Sequence, residues 1–233
     1  MTALVEPARL SPLLAELFDE SVVGYELRGA GDPATLLPSE AVSCGAFRPS
    51  RLAEFAAGRV CARRALGDLG IVDFAVERNA DRTPRWPAPA VGSITHTLGF
   101  CGAVAGLRKH YAGLGVDAEI VARVTPDLWR HAFTPEESVR FAAVPAERRE
   151  ALAAVAFSAK EAFYKCQYAV TGHWLDYCDV SIETFGATER GGAFRVRPAN
   201  ERARWCLGDR ETTGRFRIER GLVVTGIAMR AST

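Results

Sequence analysis

Gly115-Val116-Asp117-Ala118-Glu119 closes an apolar run that begins at Tyr111. Read as a strand, the run alternates its side chains, so Asp117 and Glu119 project from one face. Two adjacent carboxylates repel. They stay ionised together when a cation sits between them, and otherwise one tends to take a proton. Hard oxygen ligands suit Mg²⁺, which completes its shell with water and substrate phosphate. Taken alone, the stretch reads better as a solvated strand end with two exposed acids. The rest of the chain must supply a third ligand, a phosphate and cations.

The 233 residues suffice for one large domain or two small ones with a real core. The net charge of +1 gives no global case for nucleic acid or membrane. No apolar run reaches membrane-span length, and Met1 to Leu17 does not read as a signal peptide. The six cysteines contain no C-x-x-C pair, so neither a zinc site nor a disulfide framework is indicated. Free thiols in a reducing cytoplasm are expected.

Outward from the acidic strand, the pattern predicts a short helix over Leu10–Phe18 and a strand over Val22–Leu27. A Gly- and Pro-rich loop follows to Pro38. A helix over 50–67 has Ser50 as N-cap and Gly67 as stop. Its polar side carries Arg51, Arg59, Arg63 and Arg64, with no acid in register to neutralise Arg59 and Arg63. Such a face is either solvated or phosphate-binding, since the guanidinium fork suits phosphate. A basic loop holds Arg82, Arg85 and Trp86. Val91–Thr97 and Cys101–Leu107 read as a hairpin, with Ser93, Thr95 and His96 on its first strand.

Past the acidic strand, Pro126 and Pro135 start short helices. Leu128, Trp129, Phe133 and Phe141 fit either a partner surface or core. A long helix runs from about Ala146 to Val170 and stops at Gly172. Ser158, Glu161 and Lys165 share one of its faces at i, i+3, i+7. The last third reads as strands at Asp179–Thr184, Ala193–Arg197, Arg204–Leu207, Arg215–Glu219 and Leu222–Met229.

Together these elements offer three acids for a metal (Asp117, Glu119, Glu161) and cations or hydroxyls for several phosphates. That suits a diphosphate substrate held across Mg²⁺ and a phosphoryl-type transfer. The ordered set Gly58-Arg59-Val60-Cys61-Ala62-Arg63, Trp86-Pro87, Gly92-Ser93-Ile94-Thr95-His96, Gly115 to Glu119, and Phe157 to Ala162 with Lys165 resembles the 4′-phosphopantetheinyl transferases. The likeness covers roughly residues 45–175, and the type is the one that activates siderophore, polyketide and non-ribosomal peptide synthases.

The resemblance implies an α+β fold, a pseudo-dimer of two similar α/β halves with the active site in the cleft between them. Residues 1–110 would form the N-terminal half and 111–233 the C-terminal half. It implies transfer of the phosphopantetheine arm of coenzyme A to a serine of an apo acyl or peptidyl carrier protein, releasing adenosine 3′,5′-bisphosphate. Asp117, Glu119 and Glu161 would hold Mg²⁺, with Mn²⁺ as an alternative. Glu161, Lys165 and Asp117 would be catalytic: Glu161 as base for the carrier serine, Lys165 on the pyrophosphate and leaving group. His96, Ser93 and Thr95 would bind a coenzyme A phosphate, and Arg51 and Arg59 the 3′-phosphate end, with Arg82 in the loop nearby. Lys160 would face away from the site. The protein would be a cytoplasmic monomer. The alternatives are a non-catalytic coenzyme A or nucleotide-binding module and a Mg²⁺-dependent phosphohydrolase. The second leaves the Arg helix and the Ser-x-Thr-His strand without a role.

Overall fold

The computed structural model describes residues 12–208 and 212–231. In chain order the elements are α1 (Pro12–Ala15), β1 (Val23–Arg28), α2 (Pro38–Val42), α3 (Pro49–Asp68), β2 (Ala90–Thr97), β3 (Phe100–Leu107) and β4 (Tyr111–Ile120). There follow α4 (Pro126–Ala132), α5 (Pro135–Ala142), α6 (Ala146–Thr171), β5 (Val180–Phe185), β6 (Gly191–Pro198), α7 (Glu201–Leu207), β7 (Thr212–Glu219) and β8 (Leu222–Arg230).

The strands form two antiparallel sheets, ordered β1-β3-β2 and β4-β8-β7-β6-β5. One plan underlies both. A strand leads into a long helix, then a hairpin whose last strand pairs with the first: β1, α3, β2–β3, and again β4, α6, β7–β8. The second unit inserts β5, β6 and α7 before its hairpin and extends its sheet beyond β7. The fold is α+β, built on this two-fold plan.

Most elements sit where the pattern predicts them. α6 ends at Gly172, whose φ of 66° is the left-handed cap a glycine adopts without strain. Arg204–Leu207 is not a strand but the end of helix α7. Asn200 fixes its start by accepting a hydrogen bond from the Ala203 N–H at 2.9 Å. Of the helix expected over 10–18, Leu10 and Ser11 lie outside the described residues, and the helix observed is Pro12–Ala15.

Three apolar clusters hold the elements together. α3 packs on the small sheet through Leu66, Ala62, Tyr25 and Ala103. α6 packs on the large sheet through Phe163, Phe194, Phe216 and Ile227, and Phe133 and Phe141 belong to this core rather than to a partner surface. The third cluster joins the sheets: Leu14 of α1 meets Val104 of β3, Tyr111, Leu114 and Val116 of β4, and Val224 of β8.

Candidate active site

Residues 113, 115, 117 and 119 share the β4 face that meets α6. Glycine at the first two lets the helix lie directly on the strand. A β-carbon at Gly115 would overlap the Ala162 carbonyl, and one at Gly113 would stand 2.7 Å from the Cys166 carbonyl oxygen. The close approach carries Asp117 onto the helix face formed by Ser158, Glu161 and Lys165. Ser158 Oγ donates to Asp117 Oδ2 at 2.9 Å, and Lys165 Nζ donates to Oδ1 at 2.7 Å. Thr95 Oγ1 reaches the same Oδ1 from β2 at 3.3 Å. Asp117 is therefore buried and held both by α6 and by β2 of the other sheet.

Glu161 lies between Ser158 and Lys165 on α6, and its Oε1 accepts the Tyr177 hydroxyl. The Tyr177 ring stacks on Phe157 at 5.5 Å and 14°. Lys160 faces away from this carboxylate, as its helical position predicts. It is fully buried, and its Nζ donates to Glu137 Oε2 (2.7 Å), the Ala132 carbonyl (2.9 Å) and the Tyr177 carbonyl (2.7 Å). Lys160 thus anchors the segment whose tyrosine meets Glu161.

The acids feel one another. Burial raises Glu119 to about 7, Asp117 adds to the rise, and Lys165 opposes it. Burial also raises Glu161, with Lys165 opposing and Asp117 reinforcing. For Lys165, burial pulls the pKa down, but Asp117 and Glu161 outweigh it and hold the amine above its ordinary value. Three carboxylates thus share one ammonium. This donor set of hard oxygens with surplus negative charge fits a divalent cation. Among the described residues, however, no group of three or more His, Cys, Asp or Glu side chains is gathered as a metal shell. Asp117 is turned to Lys165 and Ser158, and Glu161 to Tyr177.

Two adjoining cavities open beside this cluster. One, of about 440 Å³, is lined by Glu161, Lys165, Tyr164, Tyr177 and Trp174. The other, of about 670 Å³, is lined by Arg82, Arg85, Trp86, Ser93, Arg108 and Lys165. Asp81, Thr83, Lys165 and Tyr168 border both. The cleft therefore runs between the 79–86 loop and α6. Asp117 and Glu119 stand outside both linings, with Asp117 behind Lys165.

The remaining candidates separate by strand face. Ser93 and Thr95 point to the seam, where Ser93 Oγ accepts from the Val116 N–H at 3.1 Å and so covers the free edge of β4. His96 points the other way. It meets the Arg51 guanidinium and lies 3.7 Å from Glu54. Burial and the Arg51 charge hold its pKa below the ordinary 6.5. Arg59 is buried. Its Nε donates to the Val76 carbonyl at 2.7 Å, and its guanidinium lies 3.8 Å over the Phe55 ring. Arg63 is not unpaired, because α2 brings buried Glu40 against it. Arg82 is exposed with a left-handed φ of 74°. Tyr177, Tyr168, Trp174 and Arg108 had no motif to mark them, for they reach the cleft only through the fold.

Residues 38–106 match the family described as 4′-phosphopantetheinyl transferase N-terminal domain, and residues 113–220 match the 4′-phosphopantetheinyl transferase superfamily. Over 232 residues the chain is 34% identical to the 4′-phosphopantetheinyl transferase PptT of Mycobacterium tuberculosis, covering 94% of this chain and 96% of that protein. The chain belongs to the 4′-phosphopantetheinyl transferases. It is also 35% identical over 205 residues to the 4′-phosphopantetheinyl transferase Svp of Streptomyces mobaraensis, covering 86% and 81% of the two chains. Enterobactin synthase component D of Escherichia coli O157:H7 shares 35% identity over 134 residues, 56% of this chain and 62% of that one. Transferases of this family move phosphopantetheine from coenzyme A to a carrier protein.

Proposed function

We propose that this transferase modifies carrier domains of secondary-metabolite synthases in the cleft between the 79–86 loop and α6. The observation that carries the reading is the meeting of β4 and α6: Asp117 is fixed by Ser158 and Lys165, while Glu161 and Lys165 line the cavity in front of it. Kinship with enterobactin synthase component D favours carriers of a siderophore synthase, and the motif set extends the proposal to polyketide and peptide carriers. Six free cysteines favour an enzyme of the reducing cytoplasm.

The carrier serine oxygen attacks the phosphorus that bears the pantetheine arm. The bond from that phosphorus to the bridging pyrophosphate oxygen breaks, and adenosine 3′,5′-bisphosphate leaves. Glu161 takes the serine proton, directly or through water. Lys165 meets the pyrophosphate and stabilises charge on the leaving oxygen. Asp117 holds Lys165 in place. Arg51 and His96 bind the 3′-phosphate end, supported from beneath by buried Arg59. Arg82 lines the outer cleft, and Ser93 and Thr95 hold the seam. Asp117, Glu119 and Glu161 would hold Mg²⁺ or Mn²⁺, which when bound neutralises pyrophosphate charge.

Incubation with coenzyme A, Mg²⁺ and a panel of apo fatty-acid, polyketide and peptide carrier domains should raise the mass of at least one carrier by one phosphopantetheine. Glu161→Ala should abolish the shift while preserving the circular-dichroism spectrum. No shift with any carrier would reject the reading, and near-wild-type turnover by Glu161→Ala would reject the base.

A further inference from the structure

Trp174 and Trp205 are 71% and 72% exposed. The other exposed large hydrophobics among the described residues, Val42, Val72, Leu98, Val139 and Phe185, lie on five separate segments. The two tryptophans belong to one patch. His173 packs edge-on against Trp205, ring centroids 4.9 Å apart, and Arg202 Nη2 donates to the Trp174 carbonyl at 2.5 Å. Tyr168 meets Trp174 edge-on at 6.4 Å, and its hydroxyl donates to Asp81 across the cleft at 3.2 Å. Trp174 and His173 line the same cavity as Glu161, Lys165 and Tyr177. The patch is thus continuous with the proposed catalytic cavity, and its outer end is α7.

α7 belongs to the insertion that the first unit lacks. It contributes little to the core on this side, since Ala203 and Leu207 face inward while Glu201, Arg202 and Trp205 face out. Exposed tryptophan costs solubility unless something covers it, and Trp and Arg are the residues that most often anchor protein interfaces. A protein substrate whose serine reaches Glu161 must touch the rim of this cavity.

We propose that the α7 patch, with Trp205 at its centre and Trp174, His173 and Arg202 around it, is a docking surface for the apo carrier domain. The domain presents apolar side chains flanking its acceptor serine to Trp205, while Glu201 and Arg202 form a polar rim. This rests on the transferase reading of the same cleft. The partner covers Trp205 and thereby orients its serine toward Glu161. Trp174 forms the step between docking surface and cavity.

Trp205→Ala should raise KM for the apo carrier about tenfold, the effect of losing one aromatic interface anchor. KM for coenzyme A should stay within twofold, and Trp205→Phe should restore most of the carrier affinity. An unchanged carrier KM in Trp205→Ala, with wild-type transfer intact, overturns the docking surface and leaves the transferase reading standing. Gel filtration that shows a wild-type dimer and a Trp205→Ala monomer also overturns it, by assigning the patch to a second copy of this chain. If the wild-type enzyme transfers to no carrier, both readings fall together.

Discussion

Asp117 accepts hydrogen bonds from Ser158, Lys165 and Thr95, yet no pattern in the sequence aims any of these donors at Asp117. The i, i+3, i+7 spacing put Ser158, Glu161 and Lys165 on one helical face, and alternation put Asp117 and Glu119 on one strand face. Neither pattern could bring the two faces together, because that contact is tertiary. Tyr177 at Glu161 and Glu40 at Arg63 were illegible for the same reason. Glu119 gives a residue-scale prediction. Its folded pKa of about 7 exceeds the ordinary 4.5, so between these values the folded chain holds a proton that the unfolded chain has released. Stability from this group is therefore present at low pH, is lost as pH rises through that window, and is level above it. Glu161 acts in the same sense. His96, held low, acts in the opposite sense below its ordinary 6.5. In EDTA, Glu119→Gln should gain about 2–4 °C in melting temperature relative to wild type on going from pH 5 to pH 8. Added Mg²⁺ at pH 8 should raise the wild-type melting temperature more than that of Glu119→Gln. Superimposable pH profiles of the two proteins in EDTA would exclude this burden on Glu119.

At the scale of elements, the long helices and the hairpins were readable because periodicity and caps agreed. α6 has both an apolar stripe and a glycine stop, and the runs of β2 and β3 are separated by a Leu98-Gly99 turn. α7 was misread because Arg204–Leu207 is too short to reveal a period, and its Asn200 cap lies outside that window. The contact of β4 with α6 was invisible in another way. Its signal is the absence of side chains at Gly113 and Gly115, which from sequence alone does not separate a weak strand or a bulge from a close backbone approach. Gly115→Ala tests that contact. The new β-carbon meets helix backbone, which cannot rotate aside, so β4 and α6 must separate. The variant should lose about 1–3 kcal/mol in urea unfolding, the usual cost of overpacking. Its transfer activity should fall by more than its folded fraction, since Asp117 moves relative to Ser158 and Lys165. A loss below about 0.5 kcal/mol, the range of an ordinary surface substitution, would show that the strand and helix can re-pack.

At the scale of the molecule, the repeated plan of strand, helix and hairpin makes the chain look divisible near residue 110, but its packing does not divide there. Val91, Phe100 and Val104 of the first sheet share a cluster with Tyr111, Leu114, Val116 and Val224 of the second, and Leu14 of α1 sits among them. Polar contacts follow the same line. Ser93 accepts from Val116, Thr95 donates to Asp117, and Asp19 accepts from the Tyr111 hydroxyl at 2.5 Å and from Arg230 at 2.6 Å. Splitting the chain would expose this cluster, uncover the free edge of β4 and leave Asp117 without its donor from β2. Fragments 1–110 and 111–233, expressed separately, should therefore show no cooperative thermal transition of their own, and mixing them should restore one. Heteronuclear NMR of the second fragment should show collapsed amide dispersion that recovers when the first is added. A fragment 111–233 that melts cooperatively by itself, within a few degrees of the intact chain, would mean that the shared cluster is only an interface between two independent domains.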